Sequence, residues 1–315
     1  MSKITIIGAG SVGSTIAYTL STESLATEIV MIDIDKKKAG GEVMDIMQGT
    51  SFRDAISITS GDYEDAKGSD IVIITSGVAR KPGQTRIDLA QTNVNIIKDI
   101  APKIAKVAPD ALYIIVSNPV DIITYVFMKK SGLPERQILG SGTLLDTSRL
   151  RHALSEHFGV AQKSIHAYIF GEHGDTSFVP WSCARISAVG VEEYTKLARA
   201  CGDNLPPMDT EMIEERVRRS GGMIIEGKGA TFYAVAMSVC RLCSILVAPK
   251  TSIVTVSTMM HGEYDLEDVC LSTLTRIGPG GVIGKLPIPL NEEEYAKLHK
   301  SANALKDVIN QLDLA

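Results

Sequence analysis

Residues 3–13 read Lys-Ile-Thr-Ile-Ile-Gly-Ala-Gly-Ser-Val-Gly, a short β-branched run that stops at a glycine-rich turn. Isoleucine and threonine favour a pleated, buried strand, and glycine admits backbone conformations closed to other residues. Residues 14–22 then read as a helix and 28–34 as a second strand, which completes a βαβ unit. The alternation continues with a helix over 37–47 and strands over 56–60 and 71–75. A helix over 87–107, which Pro102 is expected to break or displace, precedes a strand over 112–116. Strands separated by helices put a parallel sheet between two helical layers, the doubly wound α/β arrangement.

Gly8-x-Gly10-x-x-Gly13 lies between the first strand and the first helix, the context in which this spacing marks a Rossmann-type dinucleotide fold. The glycines allow a tight turn and a close backbone approach to a pyrophosphate, whose charge meets a helix N-terminus. Asp33 follows Gly13 by 20 residues and is expected to end the second strand. Its carboxylate suits the two ribose hydroxyls of an adenosine half and repels a 2′-phosphate, so NAD is expected rather than NADP. FAD and an unliganded glycine turn are the other readings of the same residues.

Near residue 140 the pattern changes. Helical stretches over 145–157, 192–200, 210–219 and 231–246 are separated by strand-like runs over 164–170, 252–259 and 271–277, and 291–312 reads as a terminal helix opened by Glu292 to Glu294. The division expected is a Rossmann domain over 1–140 and a mixed α+β substrate domain over 141–315. An apolar share of 44% with 22% charged residues is that of a globular chain rather than a disordered one. The net charge of -5 and the scattered basic residues argue against a nucleic-acid partner. The opening MSKITIIGAG shows no apolar leader, no apolar window is long enough for a membrane span, and no helix pairs a basic face with exposed aromatics, so a cytoplasmic protein is expected. The five cysteines are an odd number, and Cys240 and Cys243, though spaced CxxC, fall in a run of helical apolar period, where buried thiols are expected; a redox or metal pair is the other reading. No metal site is expected.

Gly171-Glu172-His173-Gly174-Asp175 follows the 164–170 run and places a histidine between two glycines. Histidine exchanges a proton with an alcohol or carbonyl oxygen near neutral pH. Taken alone it is as readily structural or a surface residue, and its neighbours in the fold decide. The chain resembles the lactate and malate dehydrogenases along essentially its whole length. The motifs that carry the likeness are GAGSVG at 8–13, RKPGQTRIDL at 80–89, NPVD at 118–121, GSGTLLDTSRLR at 140–151, GEHGD at 171–175 and GKGATFYA at 227–234.

That resemblance implies a hydride transfer between NAD and a small 2-oxo or 2-hydroxy acid. His173 would donate the proton, Asp146 would accept from the other ring nitrogen, and Arg149 would hold the substrate carboxylate in a bidentate fork that lysine cannot form. Arg86 would polarise the carbonyl from a mobile loop and Asn118 would bond near the same oxygen. Gly8, Gly10, Val12, Gly13, Asp33, Lys38, Tyr63, Gly77 and Asn118 would bind the cofactor.

Which acid is taken depends on the loop position occupied here by Arg80. Arginine there resembles malate enzymes, in which it meets a second carboxylate, whereas lactate enzymes often carry glutamine. Glu172, Thr231, the TSRLR stretch and Trp181-Ser182 resemble lactate enzymes, with Thr231 restricting the side-chain end of the pocket. Arg151 and His166 match a pair that binds fructose 1,6-bisphosphate across a subunit interface in activated bacterial lactate dehydrogenases. L-lactate dehydrogenase is therefore the expectation, with malate dehydrogenase, a relaxed 2-oxo acid enzyme and a non-catalytic NAD sensor as alternatives. The short lead before the first strand suggests a homotetramer without an N-terminal arm, with a dimer as the alternative.

Overall fold

The computed structural model describes residues 2–52, 54–78, 83 and 85–314. Arg80, the residue on which the choice of acid was expected to depend, lies outside the described residues, as do Ala79, Lys81, Pro82 and Gln84. In chain order the first half runs β1 (Lys3–Ile7), α1 (Ser11–Thr22), β2 (Glu28–Ile32), α2 (Lys36–Gly49), β3 (Ser57–Ser60), β4 (Ile71–Ile74), α3 (Arg86–Val107), β5 (Leu112–Ile115), α4 (Val120–Ser131) and β6 (Ile138–Gly140). These six strands pair in parallel in the order β3-β2-β1-β4-β5-β6, the doubly wound order, whose direction reverses between β1 and β4.

The strands are buried on both sides, which is why they read as continuous isoleucine and valine runs rather than alternating ones. One face packs Val94, Ile97 and Ile104 of α3 and Ile123 and Phe127 of α4 over Val72, Ile74 and Ile115. The other packs Ile16 and Leu20 of α1 over Ile4, Ile6 and Ile73. Helix α3 runs unbroken through Pro102, contrary to expectation. Proline forfeits the bond to Lys98, but Pro102 is exposed and Lys98 half-buried, while Ile97, Ile100, Ala101 and Ile104 anchor the helix on both sides of it. Thr85 and Asp88 close its N-terminus as a capping box.

The second half continues with α5 (Leu144–Phe158), β7 (Ile165–His166), β8 (Arg185–Ile186), β9 (Val189–Gly190), α6 (Val191–Ala200), α7 (Thr210–Lys228) and α8 (Tyr233–Val247). The chain then forms β10 (Ser252–His261), β11 (Glu267–Gly278), β12 (Gly281–Lys285) and α9 (Glu292–Ile309). Strands β10 to β12 form an antiparallel meander that joins the parallel sheet where Ser257 pairs with Gly140, so one nine-stranded sheet crosses position 140. Helix α8 covers it with α1, and α9 covers it with α3 and α4. Helices α5 and α7 and the three-stranded β7-β8-β9 sheet close a separate apolar cluster.

The expected strand over 164–170 is paired as a strand only at Ile165–His166; Phe170 and Gly171 make isolated bridges to Phe178 and Ser272. Helix α7 extends beyond 219 to Lys228 because nothing between them stops it, and it ends where Gly229 takes φ 85°. Strand β12 was not anticipated, its Gly281-Val-Ile-Gly-Lys being masked by glycine. Cys240 and Cys243 are buried in α8 as free thiols. Among the described residues no helix is long and apolar enough to cross a membrane.

Gly140 sits where the two halves of the sheet meet, and a Cβ there would lie 2.3 Å from Thr124 Oγ1 and 3.0 Å from the Ser257 Cβ. Gly140→Ala is therefore expected to force α4 and β10 apart and lower stability by about 1–3 kcal/mol. The check is the thermal unfolding midpoint; an unchanged midpoint would show that the junction tolerates the methyl group.

Candidate active site

The crevice between the C-terminal ends of β1 and β4 is shaped by close backbone contact. Gly8 has φ 111°, and a Cβ on it would lie 2.5 Å from Thr75 Oγ1; a Cβ on Gly13 would lie 1.9 Å from the Gly8 carbonyl oxygen. Thr75 Oγ1 donates to the Gly8 carbonyl at 3.0 Å, locking the two loops together. Above Gly10 there is no atom within 4 Å of where a Cβ would stand, and no side chain caps the first turn of α1. Space is thus open beside Gly10 at the uncapped start of α1, which fits a pyrophosphate.

Asp33 lies one residue past β2, its Oδ2 accepting from the Ala9 N–H at 2.6 Å and its Oδ1 from Asp35 N at 2.9 Å. Those bonds aim the carboxylate across the glycine turn and leave lone pairs for ribose hydroxyls, so the residues present fit NAD. Lys38 is exposed in the first turn of α2, and Tyr63 is half-buried beside Lys103 and Asp99 of α3; neither reaches the cleft described next.

A cleft of about 440 Å³ collects Val12, Gly77 and Asn118 from the expected cofactor set together with Asp146, Arg149, His173 and Thr231. Helix α5 supplies Asp146 in its first turn and Arg149 three residues later, on one face. Asp146 is 5% exposed, and its Oδ2 lies 2.6 Å from His173 Nδ1 while its Oδ1 accepts from Arg149 Nη1 at 2.9 Å. The Nδ1 hydrogen is thereby assigned to the Asp146 bond, leaving Nε2 as the ring nitrogen available to the cleft. The Asp146 carboxylate drives the His173 pKa up to about 9 against the opposing effect of burial. Burial alone would raise the Asp146 carboxyl, but the His173 charge and then Arg149 hold it below its ordinary value.

Successive backbone N–H groups hold the histidine segment to three different elements. Gly171 N donates to the Ser272 carbonyl of β11 at 3.0 Å, Glu172 N to Ser301 Oγ of α9 at 2.7 Å, and His173 N to Asp121 Oδ2 of α4 at 2.8 Å. The Glu172 carboxylate folds back on its own loop, accepting from Thr176 N and Oγ1. Arg86, expected at the substrate carbonyl, opens α3 and is not part of the cleft wall; it pairs with Asp175 at 2.6 Å, both side chains exposed. Asn93, 2% exposed, ties the loops after β4 and β5 together, accepting from Val78 N and donating to the Asn118 carbonyl at 2.7 Å. Arg218 of α7 also lines the cleft, held by the Ser177 carbonyl and Glu214. Asp121, Asp175, Asn93 and Arg218 were not anticipated from the sequence, although the first two belong to the NPVD and GEHGD motifs.

Arg151 and His166 stand away from this cleft. The Arg151 guanidinium donates through Nε to the carbonyl of Ala167 at 3.1 Å and stacks on the Tyr168 ring, and His166 is exposed on β7 beside Arg185 of β8.

Comparison with known proteins agrees with this geometry. Residues 2–140 match the family described as lactate/malate dehydrogenase, NAD binding domain, and 143–313 match lactate/malate dehydrogenase, alpha/beta C-terminal domain. The chain is 47% identical over 312 residues to an L-lactate dehydrogenase of Acetivibrio thermocellus, covering 99% of this chain and 98% of that protein. It is 44% identical over 311 residues to L-lactate dehydrogenase 1 of Clostridium acetobutylicum, covering 98% of each. A crystal structure of the minor L-lactate dehydrogenase of Enterococcus mundtii superposes with a TM-score of 0.94 at 34% identity, over 100% of this chain and 99% of that one.

The elevated His173 pKa has a defined consequence for stability. A histidine whose folded pKa of about 9 exceeds its unfolded value near 6.5 stabilises the fold fully below pH 6.5 and loses that contribution as pH rises through 9. Imidazole NMR titration is expected to place the His173 midpoint near 9 in the free protein, and Asp146→Asn is expected to bring it down to the ordinary histidine range or below. A midpoint unmoved by that substitution would mean that Asp146 does not set the charge of the ring.

Proposed function

The chain belongs to the lactate/malate dehydrogenase family and is an NAD-dependent 2-hydroxy-acid dehydrogenase, and from that premise we propose that its substrate pair is pyruvate and L-lactate. The observation that carries the site assignment is that one buried carboxylate, Asp146, bonds both His173 and Arg149 at the wall of a single cleft. The substrate assignment draws support from the relatives' activity and from Thr231 in the cleft wall. We read residues 1–140 as the cofactor unit and 141–315 as the substrate unit.

Bound NADH would supply the hydride. His173 in its imidazolium form gives its Nε2 proton to the carbonyl oxygen, and Asp146 keeps the ring in the tautomer that exposes that nitrogen. The Arg149 nitrogens not bonded to Asp146 hold the substrate carboxylate in a planar fork. Arg86 reaches the carbonyl oxygen after leaving Asp175, an exposed ion pair of roughly 0–1 kcal/mol and thus easily broken. Asn118, whose backbone Asn93 anchors, bonds the same oxygen. Developing negative charge on that oxygen meets cationic and polar groups, Arg86 joining them once it has left Asp175, which is the main contribution the protein makes to a hydride transfer.

A second carboxylate, as in oxaloacetate, is the alternative that Arg80 favours. Arg151 and His166 are read as half of an effector site for fructose 1,6-bisphosphate, completed by a second subunit across a two-fold axis. Self-association is supported by large apolar side chains left on the surface, among them Met44 of α2 and Tyr233 and Met237 of α8, at 62%, 67% and 56% exposure. A homotetramer in the cytoplasm is the assembly proposed.

Steady-state reduction of pyruvate and oxaloacetate, each with and without fructose 1,6-bisphosphate, decides the substrate and the effector. Pyruvate is expected to win in kcat/KM by at least about tenfold, a difference of roughly 1.4 kcal/mol in transition-state binding; a preference for oxaloacetate would sink the lactate reading. Arg80→Gln is expected to lower oxaloacetate turnover while leaving pyruvate turnover in place. Arg149→Lys is expected to lower kcat/KM for pyruvate by about 10- to 100-fold, the loss of one charged hydrogen bond of roughly 1.5–3 kcal/mol. Sedimentation velocity should show tetramer, with more of it in the presence of the bisphosphate; monomer under active conditions would refute the assembly.

A further inference from the structure

The three N–H groups that anchor the histidine segment do not meet equivalent acceptors. Gly171 donates to a carbonyl and Glu172 to a hydroxyl, both neutral, whereas His173 donates to the carboxylate of Asp121. Holding a backbone N–H requires only a neutral acceptor. A carboxylate that is 3% exposed is an expensive choice for that task, because burial penalises its charge unless other groups compensate.

Compensation from hydrogen bonds is incomplete at this site. Asp121 Oδ1 has no hydrogen-bond partner, and neither has the Ser257 Oγ of β10, although that hydroxyl favours the ionised form of Asp121. The position in the first turn of α4 lets the helix dipole favour the charge. Further compensation comes from the charge on His173, beside that of Lys285 on β12.

We propose that Asp121 is a positioning residue that serves His173 twice, fixing its backbone through the N–H bond and stabilising its imidazolium through the charge. Two carboxylates from different helices then meet the histidine, Asp146 of α5 at ring Nδ1 and Asp121 of α4 at the main-chain N–H. Asp146 determines which ring nitrogen carries the hydrogen facing it; Asp121 adds to the affinity for the second proton without touching the ring nitrogens.

The interaction is reciprocal. Burial pushes the Asp121 carboxyl up to about 6, against which Ser257, the His173 amide and the His173 charge pull down, while Glu172 pushes up. Asp121 in turn raises His173, after Asp146 and alongside the opposing effects of burial and Arg149. Lys285 of β12 and Cys270 of β11 also feel the Asp121 charge from the neighbouring strands.

This inference rests on the reading of His173 as proton donor, so its test includes a measurement that needs no turnover. Asp121→Asn keeps an oxygen to accept the N–H and removes the charge; Asp121→Ala removes both. In Asp121→Asn, the NMR midpoint of the His173 ring in the free protein is expected to fall by about one pH unit, the lower end of what a nearby opposite charge does. The alkaline limb of kcat/KM for 2-oxo acid reduction is expected to fall with it, while the thermal midpoint stays close to that of the parent protein. Asp121→Ala is expected to show the same shift together with a loss of thermal stability. A moved ring midpoint with an unmoved alkaline limb would uphold the coupling and remove His173 as the proton donor. If Asp121→Asn does not fold, the parent protein still decides: the His173 resonance is expected to show a second, smaller inflection near pH 6 where Asp121 titrates. A ring midpoint unchanged in Asp121→Asn, or the absence of that inflection, overturns the proposal.

Discussion

One carboxylate joins two cationic side chains of the cleft. Asp146 is almost fully buried, and a buried charge without partners would destabilise the fold by several kcal/mol. It is instead bonded to His173 on one oxygen and Arg149 on the other, so its charge is met by two cations. The first turn of α5, where the helix dipole favours a negative charge, is the place for it. Helix α5 follows directly from β6, and β6 is the strand at which the parallel and antiparallel parts of the sheet meet. The geometry of the cleft therefore follows from the sheet junction at Gly140, where only a residue without a side chain fits between Thr124 and Ser257.

Around that centre the structure divides its groups into those held firmly and those held weakly. His173 is fixed at its ring by α5 and along its backbone by β11, α9 and α4. Bonds to several rigid elements hold a side chain within a narrow range of positions. Arg86 makes the opposite kind of contact, one exposed ion pair to Asp175. Such a pair is easily exchanged for another partner, and Asp175 comes from the segment that also carries His173.

The legible parts of the fold were those where one signal acted alone. The β1–α1–β2 unit and the C-terminal helix, with Glu292 to Glu294 in its first turn, could be read directly. Local rules misled where tertiary packing outweighed them. Pro102 did not break α3, because buried isoleucines on both sides of it hold the helix to the sheet. The 164–170 run has the composition of a strand but finds a ladder partner for only two residues, the rest being tied to other elements. Strand β12 carries two glycines and owes its pairing to β11 rather than to its own propensity.

The sequence by itself determined the doubly wound dinucleotide fold, through Gly8, Gly10, Gly13 and Asp33, and pointed to the residues proposed for the chemical site, through the motifs around Asp146, Arg149 and His173. Those are local patterns of fixed spacing, and their physical meaning is contained in a few consecutive residues. Only the tertiary structure decided that the sheet continues past position 140, that Arg86 rests on Asp175, and that Asp121 lies beneath His173. Those contacts join residues 89 and 52 positions apart. No periodicity or spacing rule reaches that far, because such pairs are set by which faces of helices and strands are buried together rather than by the conformational preferences of neighbouring residues.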